Sequence, residues 1–401
     1  MNIGICGIGQ FSRSFIPLYQ AHPLVDEIAL CDVLPERADD AAAQHGVGRV
    51  YYDFDELLRS NLDAVVLLTQ RHTHAPLTLQ ALDAGKHVYC AVPIAVSLEE
   101  IDAIVAKVKE TGLVYMNGET SYYYPSTIYC RDRFSMGDFG HFVYGESAYL
   151  HDMDHGFYKA YQYSGGKDWK RVAGIPPMYY PTHSVSMMVS VTGSRITHVS
   201  CLGYRDRLGD GVFGEGNNLW DNPFSNETAL MRTADGGMCR INEFRRVGWQ
   251  GGPGASSVHM SLYGTTGSFE THASSAVWVP HTGQIEDVTE KLTCRETPVN
   301  PEDAGLPEEL QKDFSTSHAP VHPVHRLPAE FRGLRNGHEG SHQFLVDDFV
   351  RAGANGSLPP VNVWEAAKYA APGIVAHESA LKDGEMLAVP DFGEANQAAA
   401  R

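Results

Sequence analysis

The chain has 401 residues, enough for two or three domains at roughly 150 residues each. Its hydrophobic fraction of 43% allows a sizeable core, and 31 Lys and Arg against 49 Asp and Glu give a formal net charge of −18. Such an acidic surface repels phosphate backbones and anionic membranes, so we expect neither nucleic acid nor lipid as a partner.

The first 120 residues alternate between strand and helix patterns. Short apolar strands are predicted at residues 2–6, 27–31, 64–68, 87–91 and 113–116. Helices are predicted after Ser12 and at residues 35–44, 74–84 and 98–111. Ser97 and Glu100 have the spacing of a capping box before the last of these helices, and Gly85 suits the C′ position after the third. This alternation predicts a parallel sheet with right-handed crossovers, a Rossmann domain over residues 1–120.

After residue 120 the strands become longer and their hydrophobicity alternates. They are predicted at residues 142–149, 198–204, 228–233, 238–244 and 258–263, with glycine-rich turns between them. Residues 295–335 are predicted to form a surface loop with a short helix near 307–314, and residues 343–352 and 363–382 to form closing helices. We therefore predict a second, α+β domain over residues 121–401 with an open, mostly antiparallel sheet.

Cysteine usage is typical of a cytoplasmic protein. The seven cysteines are an odd number, and none forms a C-x-x-C pair. They are predicted to be reduced and mostly buried. The N-terminal run MNIGICGIGQF lacks the features of a signal peptide, and no apolar run approaches the roughly 20 residues of a membrane span.

A glycine turn between the first strand and helix predicts a dinucleotide site. The turn has the G-x-G-x-x-G form with serine in the third glycine position, and its candidate cofactor-binding residues are Gly7, Gly9, Gln10, Phe11 and Ser12. Asp32 follows at the end of the second strand, where a carboxylate accepts ribose hydroxyls and repels a 2′-phosphate. NAD is therefore favoured over NADP, although nearby Arg37 complicates that choice.

The chain resembles the glucose–fructose oxidoreductase / inositol dehydrogenase (Gfo/Idh/MocA) family over nearly its whole length. The motifs that carry this resemblance are G-I-C-G-I-G at 4–9, L-T-Q at 68–70, A-G-K-H-V at 84–88, N-G-E-T-S-Y-Y-Y-P at 117–125, G-D-F-G at 137–140, and His183. The resemblance implies a Rossmann domain followed by an open sheet that carries the substrate. It also implies cofactor-side positions for Thr69, His72 and His74.

Two segments depart from the dehydrogenases of this family. Those dehydrogenases carry a Glu-Lys-Pro motif where this chain has Ala91, Val92 and Pro93, and they tend to carry Asp where it has Tyr179. Valine can neither donate a hydrogen bond nor hold a charge, so the usual acid–base partner is missing. We place Ala91, Val92 and Pro93 beside the cofactor and expect chemistry other than that of an ordinary dehydrogenase.

The Val-Pro and Tyr-Pro-Thr-His motifs, with G-H-E-G-S-H at 337–342, resemble one branch of this family. That branch contains NAD-dependent glycoside hydrolases, such as α-N-acetylgalactosaminidases and sulfoquinovosidases. The resemblance implies transient oxidation at sugar C3, deprotonation at C2, elimination of the aglycone, addition of water and re-reduction. NAD is then not consumed.

This chemistry needs one base at the C3 hydroxyl and another at C2. An imidazole, with an ordinary pKa near 6.5, suits the first role, which we assign to His183. Tyr179 or Tyr180 is predicted to serve at C2 as a phenolate. The choice among these three residues stays open at the level of sequence.

The substrate is predicted to be a small glycoside, either anionic like a sulfoquinovoside or N-acetylated. Candidate contacts are Tyr122 and Tyr123, and the basic segment with Lys167, Trp169, Lys170 and Arg171, whose cations suit a sulfonate or carboxylate. His338 and His342 are spaced like a helical zinc pair, but no third ligand is identifiable and we expect no metal.

The sequence also leaves two alternative functions open. A net NAD-dependent sugar or polyol dehydrogenase would accumulate NADH, and a non-catalytic sugar or nucleotide sensor would bind without turnover. An open sheet with an exposed face further predicts a homodimer or homotetramer.

Overall fold

The computed structural model describes residues 1–248, 258–272, 274–298 and 315–395. The chain divides into two compact units. Unit 1 comprises Met1–Tyr124, Cys294–Ala366 and Phe392–Arg401, and unit 2 comprises Pro125–Thr293 and Ala367–Asp391. Unit 1 thus contains the region for which the sequence predicts a Rossmann domain, together with two later segments.

Unit 1 is built on a six-stranded parallel sheet. Its strands are β1 (Asn2–Cys6), β2 (Glu27–Cys31), β3 (Arg49–Tyr51), β4 (Ala64–Leu67), β5 (His87–Cys90) and β6 (Tyr115–Asn117). They lie in the order β3-β2-β1-β4-β5-β6, so the strand order reverses between β1 and β4. Ligands of such sheets bind at this reversal, beside the carboxyl ends of the strands. The predicted parallel Rossmann sheet is confirmed.

The crossover helices are α1 (Ile16–Ala21), α2 (Pro35–His45), α3 (Phe54–Arg59), α4 (His74–Asp83) and α5 (Leu98–Thr111). Ser97 caps α5 as predicted, because Glu100 N–H donates to Ser97 Oγ at 3.2 Å. The Glu100 carboxylate accepts from Val96 N–H at 3.0 Å, one residue before the N–H that a capping box would use. Regular helix after Ser12 begins only at Ile16, behind a 3-10 turn. Pro17 explains this, since it has no N–H to donate to the carbonyl one turn earlier.

Unit 2 is built on a nine-stranded sheet. Its strands are β7 (Phe142–Leu150), β8 (Ile196–Arg205), β9 (Phe224–Thr233), β10 (Met238–Phe244), β11 (Val258–Gly264), β12 (Gly267–Thr271), β13 (Ala276–Pro280), β14 (Glu286–Asp287) and β17 (Leu387–Ala388). The order is β14-β13-β12-β11-β7-β10-β9-β8-β17, and only the β7–β10 pair is parallel among the described strands. The predicted open, mostly antiparallel sheet is confirmed.

Five helices belong to the first segment of unit 2: α6 (Pro125–Ser135), α7 (Tyr158–Gly165), α8 (Trp169–Ala173), α9 (Thr182–Thr192) and α10 (Thr289–Leu292). Helix α9 packs on β7, β10 and β11, and nearly all of its side chains are buried. One face of the sheet therefore forms a core with α9. Alternate residues of β8, β9 and β10 point to the other face, where several apolar side chains are exposed.

The later part of the chain differs from the sequence prediction in one respect. Residues predicted as loop form a two-stranded ladder between β15 (Arg295–Pro298) and β16 (Ser315–His318). The two strands pair across a long separation in sequence, so no local pattern marks them. The short helix predicted near residues 307–314 lies outside the described residues. The two predicted closing helices are confirmed as α11 (His342–Asn355) and α12 (Val363–Leu381). Within the described ranges, no helix has both the length and the apolarity needed to span a bilayer.

Candidate active site

The two glycines of the turn after β1 face different surroundings. Gly7 has φ = +92°, and a Cβ there would lie 2.7 Å from the carbonyl carbon and oxygen of Leu68. A Cβ on Gly9 would meet nothing within 4 Å. Gly7 is therefore required by the fold, because only glycine tolerates both the conformation and the close approach. The open space at Gly9 is what a dinucleotide needs to bring its pyrophosphate against the backbone.

Asp32 sits at the carboxyl end of β2 with both carboxylate oxygens oriented by the backbone. Oδ2 accepts from Ile8 N–H at 2.8 Å and Oδ1 accepts from Leu34 N–H at 2.9 Å. Each oxygen keeps a further lone pair with which to accept a ribose hydroxyl. Arg37 lies in the first turn of α2 and is partly exposed. The accepting carboxylate of Asp32 and the open space at Gly9 fit NAD.

Removing the charge of Asp32 tests the cofactor assignment. We expect Asp32→Asn to weaken NADH binding about 10-fold, since a hydrogen bond to a charged group contributes about 1.5–3 kcal/mol. Discrimination against NADPH should fall as well, because the repulsion of the 2′-phosphate is lost. Fluorescence titration with both nucleotides measures this, with Asp39→Asn, an exposed carboxylate of α2, as the matched control. An unchanged NADH/NADPH ratio would contradict the assignment.

The rest of the turn is held by local contacts. Ser12, in the third glycine position, donates its hydroxyl to Gly9 O at 2.8 Å and is fully buried. The ring of Phe11 contacts His338 and His342 edge-on, with centroids 5.3 and 5.4 Å away. Gln10 is exposed. His338 Nδ1 and His342 Nε2 lie 2.9 Å apart, and among the described residues no group of three or more His, Cys, Asp and Glu could hold a metal ion.

His74 joins the loops that follow β4 and β5. Its Nδ1 lies 2.7 Å from Pro93 O and its Nε2 lies 3.1 Å from Thr69 O. Burial lowers the pKa of His74 to about 4. His74 thus positions the two loops. Burial also lowers the pKa of the half-buried His72.

The segment that replaces the family's charged motif is apolar and largely buried. Val92 and Pro93 are buried, the peptide bond between them is cis, and Ala91 is partly exposed. The side-chain amide of Asn117 donates to the carbonyls of Cys90 and Ala91 at 3.0 and 3.3 Å. None of the residues 91–93 has a side chain that could transfer a proton.

The tyrosines after β6 belong to unit 1. Tyr122 is partly exposed, whereas Tyr123 is buried. The Tyr123 hydroxyl donates to Asp348 and accepts from Arg326 Nη2 at 2.9 Å, and its ring stacks on Phe344. Burial, followed by the neighbouring Asp348 carboxylate, raises the pKa of Tyr123. A substrate contact by either tyrosine stays a prediction.

In unit 2, His183 lies in a buried aromatic cluster at the start of α9. The His183 ring meets the rings of Tyr149 and Tyr180 edge-on, with centroids 5.0 and 5.1 Å away. The Tyr149 hydroxyl lies 2.5 Å from His151 Nδ1, and the Arg245 guanidinium lies 4.9 Å from the centre of the Tyr149 ring. The structure therefore brings His183 and Tyr180 together with His151, and it adds Tyr149 and Arg245, which sequence reasoning missed.

A buried ion pair adjoins this cluster. Glu243 accepts from Ser184 Oγ at 2.5 Å and from Arg245 Nη2 at 2.8 Å. Burial raises the pKa of Glu243 to about 7, while Arg245, Ser184 and the charge of His183 act in the opposite direction. The signal in the sequence was the alternation of β10, which places Glu243 in line with buried Cys239 and Ile241.

Tyr179 points to different neighbours from those of Tyr180. The ring of Tyr179 meets His377 of α12 at 5.2 Å. His377 Nδ1 lies 2.7 Å from Glu227 Oε1, and Glu227 Oε2 accepts from Met178 N–H at 2.8 Å. Of the two candidate tyrosines, Tyr180 is therefore the one in ring contact with His183.

The basic segment predicted to bind an anionic sugar lies along α8 and the turn before it. Lys170 Nζ donates to Asp210 O at 2.7 Å, and Trp169 meets the Tyr158 ring edge-on at 5.7 Å. Lys167 and Arg171 are exposed. Substrate binding by this segment stays a prediction.

Sequence comparisons relate the chain to known proteins. Residues 1–119 match a family model described as an oxidoreductase family with an NAD-binding Rossmann fold. A glycosyl hydrolase family 109 protein of Streptomyces filamentosus is 26% identical over 416 residues, covering 98% of this chain and 77% of the relative. A 4-carboxy-2-hydroxymuconate-6-semialdehyde dehydrogenase of a Sphingobium species is 32% identical over 139 residues, covering 34% of this chain and 44% of the relative.

Solved structures share the fold over the whole chain. Levoglucosan dehydrogenase in complex with NADH and levoglucosan has a TM-score of 0.71 at 19% identity, covering 98% of this chain and 100% of that chain. A scyllo-inositol dehydrogenase of Lactobacillus casei has a TM-score of 0.64 at 17% identity, covering 97% of this chain and 98% of that one.

Proposed function

From the match of residues 1–119 to the model of the Gfo/Idh/MocA oxidoreductase family, described as an NAD-binding Rossmann fold, we propose that the protein is an NAD-dependent enzyme acting on a sugar. More specifically, we propose a glycoside hydrolase that oxidises sugar C3 transiently and restores it in each turnover. Similarity to glycosyl hydrolase family 109 proteins over 98% of this chain supports this. The observation that carries the proposal is buried Val92, since proton transfer must then fall to the His183 cluster.

In this proposal each residue has a defined task. Bound NAD supplies reversible hydride chemistry. Gly7, Gly9 and Asp32 hold and orient the dinucleotide, and His183 accepts the proton of the C3 hydroxyl. Tyr180 is favoured over Tyr179 at C2–H, because it contacts the His183 ring. The buried surroundings of His183 exclude water, which strengthens the interaction of each charge with the reacting groups.

The test is cleavage of chromogenic sulfoquinovosides and N-acetylgalactosaminides by protein stripped of NAD and by protein reloaded with it. We expect cleavage only with NAD, no net NADH, and solvent deuterium at C2 of the product. Cleavage that survives removal of NAD, or a product without deuterium, would overturn the hydrolase mechanism.

The second candidate is a net NAD-dependent sugar or polyol dehydrogenase. It is supported by structural neighbours such as levoglucosan dehydrogenase. It predicts stoichiometric NADH with a free sugar and no release of aglycone, so the same assay separates the two functions.

We also propose that the protein self-associates through the outer face of the unit 2 sheet. Leu202 of β8, Leu230 of β9 and Met238 of β10 are 65%, 58% and 54% exposed on this face. Glu146 and Arg240 form an ion pair at 2.5 Å beside these residues. The face therefore carries a negative and a positive charge, which could each meet the opposite charge of a second copy across a two-fold axis. A second copy of the chain suits such a self-complementary apolar face.

Placing a charge in this patch should disrupt the oligomer. We expect Leu230→Glu to lower the mass measured by light scattering to that of a monomer, because burying an unpaired carboxylate is costly. Leu381→Glu, at an exposed leucine of α12, serves as the control. A mass unchanged by Leu230→Glu would exclude this face.

A further inference from the structure

Two buried glutamates lie directly opposite each other in the unit 2 sheet. Glu227 of β9 and Glu243 of β10 are register partners in the antiparallel ladder, and both are almost completely buried. Two carboxylates facing each other in a core repel and are costly to desolvate, and apolar residues in their place would give equal or greater stability. Their presence therefore calls for a role other than stabilising the core.

Four polar contacts hold this pair, one to each carboxylate oxygen. Glu227 meets His377 Nδ1 at 2.7 Å and Met178 N–H at 2.8 Å. Glu243 meets Arg245 Nη2 at 2.8 Å and Ser184 Oγ at 2.5 Å. Each carboxylate thus has one partner that can carry positive charge and one partner at the edge of the segment 178–184.

That segment is the one with the candidate catalytic side chains Tyr179, Tyr180 and His183. Met178 is its first residue and Ser184 its last, so the two glutamates accept hydrogen bonds from both ends of the segment. Its other side is approached by α12 at Gly373, where a Cβ would lie 2.0 Å from Met178 O and 2.3 Å from the Pro181 ring. The close approach of α12 leaves the segment little room to move.

We infer that Glu227 and Glu243 are positioning residues that fix the segment 178–184 and thereby aim His183 and Tyr180. This inference rests on the proposed function, in which His183 is the base.

The experiment compares Glu227→Ala, Glu227→Gln and Glu243→Gln in the full chain. Amide exchange at Met178, kcat and KM with the cleaved glycoside, and NADH affinity are measured for each variant. Glu27→Gln is the matched control, because Glu27 forms a partly exposed carboxylate–arginine pair with Arg49 at 2.8 Å and belongs to neither the candidate site nor the proposed oligomer face.

We expect Glu227→Ala to speed Met178 exchange at least about 10-fold and to lower kcat about 10-fold or more, with KM and NADH affinity within about threefold of wild type. Glu227→Gln keeps an acceptor for Met178 N–H and should restore both values. Glu243→Gln keeps an acceptor for Ser184 Oγ but loses the ion pair with Arg245, so we expect kcat to fall about 10-fold or more with KM little changed.

Faster Met178 exchange with kcat unchanged would overturn the inference, as would a kcat for Glu243→Gln equal to that of Glu27→Gln. If Glu227→Ala does not fold, the two glutamine variants decide, because they keep the size of the side chain. If the wild-type protein has no NAD-dependent turnover, the proposed function fails. Met178 exchange in Glu227→Gln and in Glu227→Ala then still shows whether Glu227 holds the segment.

Discussion

Replacing His183 by Gln should lower kcat by about 10²–10⁴-fold, the usual contribution of a positioned acid–base group. Glutamine retains hydrogen-bonding capacity but cannot take up a proton at neutral pH, so the change isolates proton transfer. NADH affinity should remain within about threefold of wild type, because the glycine turn and Asp32 that hold the dinucleotide are unchanged in this variant. Steady-state kinetics with the cleaved glycoside and a fluorescence titration with NADH measure both quantities.

The control for His183 is an exposed histidine of the same unit. His272 lies 3.6 Å from Glu270, with its side chain 67% exposed, so His272→Gln should leave kcat unchanged. Thermal unfolding of both variants shows whether the buried position tolerates the change. A folded His183→Gln protein with wild-type kcat would remove His183 from the mechanism and leave the tyrosines as the remaining candidates.

The second large effect is expected at the glycine turn, where two alanine substitutions should separate folding from cofactor binding. Gly7→Ala should lower the free energy of unfolding by about 2–4 kcal/mol, because a left-handed backbone and a clash with Leu68 both oppose a Cβ. Gly9→Ala should change stability by less than about 0.5 kcal/mol, since its Cβ enters open space.

NADH affinity should then fall in both variants, and at Gly9 it should fall without loss of stability. We expect at least a tenfold rise in Kd for Gly9→Ala, because a methyl group there occupies the space that a pyrophosphate needs. Urea unfolding and NADH titration on the same preparations provide the two numbers. A Gly9→Ala protein with wild-type Kd would place the dinucleotide elsewhere.

The Rossmann sheet was predictable because its signals are local. An uninterrupted apolar run marks β4, the pair Ser97 and Glu100 marks the start of α5, and Asp32 follows β2 in the position that a ribose requires. Each of these features is decided by neighbours within a few residues. The departures, such as the short α1, also have a local cause in Pro17.

The candidate site of unit 2 was predictable only in part. The Tyr-Pro-Thr-His run at 180–183 indicated His183 and Tyr180. The role inferred for Glu227 and Glu243 depends on their cross-strand pairing and on the contact with His377, which only the structure shows. The identity of a glutamate says little about burial, since most glutamates are exposed and only a partner elsewhere in the chain makes a buried one tolerable. Tyr179 and Tyr180 are adjacent in sequence yet face different neighbours, which no pattern of residues indicates.

The division of the chain into two units has a practical consequence for protein dissection. The backbone passes from one unit to the other four times, near residues 124, 293, 366 and 391. In unit 1, the amide of Asn117 on edge strand β6 donates to Val361 O at 2.9 Å, and the Tyr123 carbonyl lies 2.9 Å from His322 Nε2. A truncation that keeps only the N-terminal 120 residues would remove the hydrogen-bond acceptor of that edge strand at Val361. Recombinant production of the nucleotide-binding half alone would therefore need the segment 294–366 spliced back on through an engineered linker.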